Sequence, residues 1–288
     1  MSKGKTRPKE TVAADIGFGS WEIVSDSSAI ARRVSEWYGP WAVGGRAAGR
    51  RKLSARVIVV RVATNAVGSR GIQSGKEGVE IKLSGISVNA DWHHIPWKVD
   101  VHSDGKKIEN ALRVVTRLLA MRCALALGGV VLHASSASLN GKAVVFAGKS
   151  GVGKSTAVNK FPGASRLDDD TVILMERAGV WVRPDMPNLE TPSSFAPKQV
   201  GKLPVGVLLL PEAAPAFQTR ILSGAEAFRA CLHLPPAWTL PDSSVPEGAL
   251  QKVLSGISRL VRSVKVVRMG WRLSDDLPTL LVNFMKSL

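Results

Sequence analysis

The chain has 288 residues, 45% of them hydrophobic, enough to bury one large or two modest cores, and this excludes a disorder-dominated protein. Lysine and arginine number 39 against 23 acidic residues, a formal charge of +16, and the surplus is heavier over residues 1–130 (21 basic, 11 acidic) than over the rest (18 and 12). The two cysteines, Cys123 and Cys231, lie far apart in apolar helical patterns and read as buried thiols, not as a disulfide or a metal pair.

Residues 1–15 carry Lys3, Lys5, Arg7 and Lys9 with almost no apolar content, so a disordered basic tail is expected there. The stretch lacks the apolar centre of a secretory leader. Further on, the most apolar segment, 111–127, is interrupted by Arg113, Arg117 and Arg122. The expectation is a cytoplasmic protein without a membrane partner.

Residues 16–104 read as a small α+β unit. A strand is expected over 17–24, then a helix over 27–38, capped by Ser27 or Ser28, with Ile30, Val34 and Trp37 or Tyr38 on one face. Arginine alternates with valine over 55–63 as in a half-buried strand, and 79–83 with 88–99 continue an antiparallel sheet. The basic tip Gly44-Gly45-Arg46 with Gly49-Arg50-Arg51-Lys52 reads first as a solvated loop and second as a docking surface for an acidic protein or peptide. Nucleic acid is the less favoured partner, because aromatic side chains do not interleave with these arginines. His93 and His94, adjacent on a strand, point to opposite faces and are poorly placed to share one metal ion.

A helix over 109–127, with Leu112, Val115, Leu119 and Ala126 on one face and Gly128-Gly129 as its stop, is expected to join this unit to a second domain, 105–288. The motif-bearing stretch follows. Residues 143–147 are a short apolar run suited to a buried strand, which pairs through a turn at Asn140-Gly141 with a strand carrying His133. Next comes Gly148-Lys149-Ser150-Gly151-Val152-Gly153-Lys154-Ser155-Thr156, the G-x-x-x-x-G-K-[S/T] phosphate loop in its required order of strand, loop and helix, the helix expected over 155–161. Glycines let the backbone turn successive amides into one concavity, Lys154 supplies a charge for the β- and γ-phosphates, and the Ser155 hydroxyl suits Mg²⁺. Asp168, Asp169 and Asp170 lie only 14 to 16 residues past Lys154, ahead of an apolar strand at 171–175, so the chain can return these carboxylates to the loop.

Downstream, 173–175 and 180–183 are expected to form a hairpin through Ala178-Gly179. Residues 184–204 are irregular and rich in proline, a lid or acceptor edge in one reading and a plain loop in the other. A second buried strand at 205–210 ends in Pro211-Glu212, and helices at 225–231, 248–264 and 277–288 cover the sheet.

The pattern Leu-His-Ala-Ser, Gly-Lys-Ser-Gly-Val-Gly-Lys-Ser-Thr and Asp-Asp-Thr-Val resembles the catalytic domain of HPr kinase and HPr-kinase-related proteins, whose fold is close to ATP-dependent phosphoenolpyruvate carboxykinase. The resemblance is most specific over 130–174. It implies an α/β (α+β) phosphate-loop kinase-like domain, a mixed central sheet flanked by helices, with ATP and Mg²⁺. It also implies that His133 contacts the terminal phosphate, that the loop from Gly148 to Thr156 holds the nucleotide, and that Asp169 and Asp170 activate the acceptor hydroxyl and assist Mg²⁺. The Glu-Val-Arg-Gly and Pro-x-x-x-Gly-Arg motifs of the bifunctional members are absent, so phosphorylase activity is not implied, and Glu190 is the only acid near where their glutamate would fall.

The expected activity is transfer of the γ-phosphoryl group of ATP to a hydroxyl, a serine of a protein or peptide first. A phosphate-loop ATPase using Glu212, a small-molecule kinase and a non-catalytic nucleotide-binding protein stand as alternatives.

Overall fold

The computed structural model describes residues 10–16, 19–25, 28–38, 54–61, 71–75, 78–83, 86–91, 97–103, 108–186, 201–234 and 249–288. The chain divides into two compact units, and along its main run the division falls between Cys123 and Ala124. His93, His94, Glu190, the basic tip and most of 184–204 lie outside the described residues.

The first unit is built on a seven-stranded sheet. Its strands are β1 (Glu10–Ile16), β2 (Gly19–Ser25), β3 (Ser54–Arg61), β4 (Gly71–Gly75), β5 (Gly78–Leu83), β6 (Ile86–Asp91) and β7 (Trp97–Ser103), in the order β1-β2-β3-β7-β6-β5-β4. β2, β3 and β7 run parallel, and the remaining pairs are antiparallel. β1 occupies ground where a tail is expected from composition. It pairs residue for residue with β2, from Glu10 opposite Ser25 to Ile16 opposite Gly19, and this ladder outweighs the polar composition. The stretch 88–99 is two strands, not one.

Helix α1 (Ser28–Tyr38) buries Ala31 and Tyr38, and the Tyr38 hydroxyl is hydrogen-bonded to Thr116 on α2 (Ile108–Ala126). Complete burial pushes the Tyr38 hydroxyl well above its ordinary pKa.

Helix α2 closes in the second unit with Gly128 in the left-handed region, the Gly128 amide on Leu125 O and the Gly129 amide on Ala124 O at 2.7 Å. That is the Schellman pattern its Gly-Gly pair predicts. A sheet of nine strands follows: β8 (Val130–Leu132), β9 (Ala134–Leu139), β10 (Lys142–Ala147), β11 (Arg166–Asp168), β12 (Val172–Arg177), β13 (Val180–Arg183), β14 (Leu203–Ala213), β15 (Gln218–Ile221) and β16 (Val266–Trp271). Its main path is β11-β9-β10-β14-β13-β12-β8, with β16 joined to β14 and β15 to β16. β10, β14 and β16 run parallel and the other pairs are antiparallel, so the sheet is mixed. Only His133 separates β8 from β9, which stand near opposite ends of that path, so the sheet curls. Both expected tight turns are present, Asn140-Gly141 and Ala178-Gly179, each with positive φ at both positions as a two-residue hairpin of the primed type demands.

Strand β10 is buried on both faces, as its continuous apolar run predicts. Val145 and Ala147 join Leu208, Val266 and Trp181 beneath Val253, Ile257 and Leu260 of α5 (Ala249–Ser263) and Cys231 of α4 (Gly224–Cys231). Val144 and Phe146 face the other way, with Val207, Leu209 and Met269, toward Ala157 and Val158 of α3 (Lys154–Val158) and Leu277 and Leu281 of α6 (Leu277–Lys286). The architecture is α/β (α+β): a curled mixed sheet with helices on its faces. Among the described residues no helix is long and apolar enough to cross a membrane.

Candidate functional site

The site forms where two strand runs break at the same level. Residues 130–139 and 166–177 lie antiparallel, with Leu132 opposite Val172 on one side of the break and Ser136 opposite Asp168 on the other. Between these pairs the ladder stops. His133, Ala134 and Ser135 span the gap in the first run, the last two pairing with β10 instead, and Asp169, Asp170 and Thr171 fill it in the second. Here the polypeptide bends, and Asp170 takes φ 62°, a left-handed conformation that aspartate tolerates better than most residues. The unpaired stretch bulges toward the neighbouring loop, which leaves β10 at Gly148. The Gly148 amide reaches the His133 carbonyl at 3.4 Å, and the His133 amide donates to Leu234 O at 2.6 Å.

Expected site residues come together there. Oδ1 of Asp169 accepts the Ser155 hydroxyl at 2.7 Å, the Ser135 hydroxyl at 2.6 Å and the Asp170 amide at 3.1 Å. Asp170 Oδ1 stands 3.0 Å from Nδ1 of His133, both side chains partly exposed. Lys154 is 6% exposed, and its ammonium donates to Lys149 O at 2.8 Å, folding the loop onto itself. Burial lowers the Lys154 pKa, while the nearby charges of Asp170 and Asp169 act to raise it. Gly153 begins the helix with φ 89°, so a side chain there would be strained. Lys149, Ser150, Gly151, Ser155 and Thr156 are exposed on the loop, and Val152 is half-buried.

Two expectations need correction. The helix after the loop ends at Val158, short of the expected 161, because Lys160 and Phe161 donate to Ala157 O and Val158 O in tighter turns. A helix this short has a small dipole, so any phosphate there must rely on loop amides and Lys154. His133, expected within a strand, sits in the break between two. Glu212, the acid an ATPase reading needs, forms a half-exposed ion pair with Arg268 at 3.6 Å.

Three residues outside the expected set belong to the neighbourhood: Ser135, Ser136 and Arg183. The two serines sit in the Leu-His-Ala-Ser-Ser run, and only pairing with β11 reveals which hydroxyl meets which carboxylate. Arg183 looks in sequence like any strand-end arginine.

Among the described residues no group of three or more His, Cys, Asp or Glu side chains is arranged to hold a metal ion. Mg²⁺ takes oxygen donors, keeps several waters and often binds through one carboxylate plus substrate phosphates. The Ser155 hydroxyl and the Asp169 carboxylate, 2.7 Å apart beside the loop, fit that donor chemistry.

The family described as SynChlorMet cassette protein ScmC matches residues 100–204, about a third of the chain. No curated protein matches. Among solved structures, the HPr(Ser) kinase/phosphatase from Coxiella burnetii is similar over 55% of this chain and 94% of its own, at 11% identity and a TM-score of 0.28. At that score the likeness specifies neither fold nor activity.

Proposed function

We propose that this chain is an ATP- and Mg²⁺-dependent phosphotransferase that moves the γ-phosphoryl group to a hydroxyl, a serine of a protein or peptide foremost. The observation that carries the reading is the meeting of a phosphate-loop serine with an acidic pair and an imidazole: Ser155 on Asp169, and Asp170 on His133. A loop that only captured the Mg²⁺-nucleotide would use Asp169 but have no need of Asp170 beside His133.

The two acids divide the work. Asp169, held by Ser135 and Ser155, sits on the loop side and with Ser155 is the pair that would hold Mg²⁺. The bound ion would neutralise charge on the phosphates. Asp170, partly exposed and beside His133, is open to an incoming hydroxyl and serves as the base. It takes the hydroxyl proton as the acceptor oxygen forms its bond to the γ-phosphorus and the bond from that phosphorus to the bridging oxygen of ADP breaks. Lys154 and the loop amides carry the developing negative charge.

The test incubates the protein with γ-labelled ATP and an extract of its own host, then identifies what is labelled. Label on a serine of one protein or peptide, lost in Asp170→Asn, supports the reading. ATP binding with no label transferred and no hydrolysis overturns it in favour of nucleotide capture. Label on a metabolite assigns the same chemistry to a small-molecule acceptor.

A further inference from the structure

The site's two working carboxylates follow a third that does something else. Asp168 is 3% exposed and Arg183 2% exposed, yet both are charged, an arrangement that costs solvation unless every donor and acceptor is matched. Here the match is close to complete. Arg183 Nε reaches Asp168 Oδ2 at 3.1 Å and Nη2 reaches Oδ1 at 2.9 Å, a two-point fork. Two further guanidinium donors go to Pro184 O at 2.8 Å and Met186 O at 3.0 Å. The Ser136 hydroxyl adds a bond to Asp168 Oδ2 at 2.5 Å. The pair lies at the last rung of β11 before the ladder breaks, so it fixes where the unpaired Asp169-Asp170 stretch begins and which way it leaves.

We propose that Arg183 and Asp168 are a positioning pair: they set the direction of the acidic run so that Asp169 meets Ser155 and Asp170 meets His133. Resting on the phosphotransfer reading, this adds two residues that touch no reactant. An apolar pair would fill the same volume, and a planar fork locked to four oxygens has the geometry to define an orientation.

Two variants test it. Asp168→Leu with Arg183→Met removes both charges together, leaving none buried alone, and Arg183→Lys keeps the charge while losing the fork. Folding is checked by thermal melting of each. Kinetics are read as kcat and KM for ATP, and amide hydrogen exchange over 168–171 is followed by mass spectrometry. Expected is a fall of about 10–100-fold in kcat with KM for ATP unchanged at saturating Mg²⁺. Exchange should rise at 169–171, where the Asp170 and Thr171 amides are bonded to Asp169, and stay unchanged over β10.

Wild-type kcat and amide exchange in both folded variants overturn the proposal, as does activity that falls only in proportion to the folded fraction. Should the wild-type protein transfer no phosphate, the phosphotransfer reading fails, while exchange at 169–171 still decides the positioning role. If the double variant does not fold, Arg183→Lys decides alone.

Discussion

Oδ1 of Asp169 accepts hydroxyl hydrogen bonds from Ser155 on the phosphate loop and from Ser135 on β9, at 2.7 and 2.6 Å. One oxygen thereby ties the loop to the sheet, and the bond satisfies the hydroxyl of buried Ser135 while fixing the carboxylate.

Removing either partner should therefore alter the dependence on Mg²⁺. Ser135→Ala, which loosens the carboxylate without touching the loop, is expected to cost about 10–100-fold in apparent Mg²⁺ affinity, and Asp169→Asn more. Titrating Mg²⁺ at fixed ATP measures both, and an unchanged Mg²⁺ requirement in Asp169→Asn would exclude the assignment.

The choice between phosphotransferase and simple ATPase rests on which acid matters. Asp170→Asn should lower turnover by about 10²–10⁴-fold, the range for a general base, whereas Glu212→Gln should leave it intact, because Glu212 is engaged with Arg268. The reverse pattern in a phosphate-transfer assay would point to water activation by Glu212.

Lys154 gives a dependence on pH. Its pKa is lowered by burial and supported by Asp170 and then Asp169. Nucleotide affinity needs the charged ammonium, so it should fall as pH rises through that pKa. Neutralising one supporting carboxylate in Asp170→Asn should shift this alkaline limb to lower pH. Binding of a fluorescent ATP analogue across an alkaline pH series reads the limb directly; a limb at the same or higher pH counts against the coupling.

Cys231 is fully buried, and burial pushes its thiol up to about 12. At neutral pH the thiolate that reacts is nearly absent. Native protein should leave Cys231 unlabelled by iodoacetamide, with labelling appearing only as the chain unfolds, a contrast that mass spectrometry of the two samples reveals.

Gly129 has a steric role. A Cβ there would lie 2.8 Å from Leu174 O, 3.0 Å from Ala124 O and 2.4 Å from Met175 Sδ, two of them backbone atoms that cannot swing aside. Gly129→Ala should destabilise the fold by about 1–3 kcal/mol, seen as a lower midpoint in urea.

Much of this site was legible in the residues themselves. The phosphate loop has a fixed spacing, the Asn-Gly and Ala-Gly hairpins have local turn chemistry, and the buried faces of β10 follow from an unbroken apolar run. What escaped was decided by pairing between distant segments. Ser135 and Ser136 are neighbours that bond different aspartates, Asp169 and Asp168, and nothing in their sequence context tells them apart. Arg183 escaped for the same reason, since its partner is 15 residues upstream across a hairpin. Strand β1 was missed because its ladder with β2 depends on a partner strand, while composition spoke only of charge.

The interruption at 133–135 and 169–171 is a gap in the middle of a ribbon, not a fraying end: Val130, Val131 and Leu132 pair with β12 on one side, and Ala137 and Ser136 pair with β11 on the other. No rung of this ladder passes through the stretch, so its own contacts hold it: the Asp169 carboxylate on Ser135, Ser155 and the Asp170 amide, with Asp170 in the left-handed region. It cannot drift, because drifting would unzip paired strands on one flank or the other. Such a gap frees carboxyl and imidazole groups from the pairing of the ribbon while the surrounding weave keeps its register.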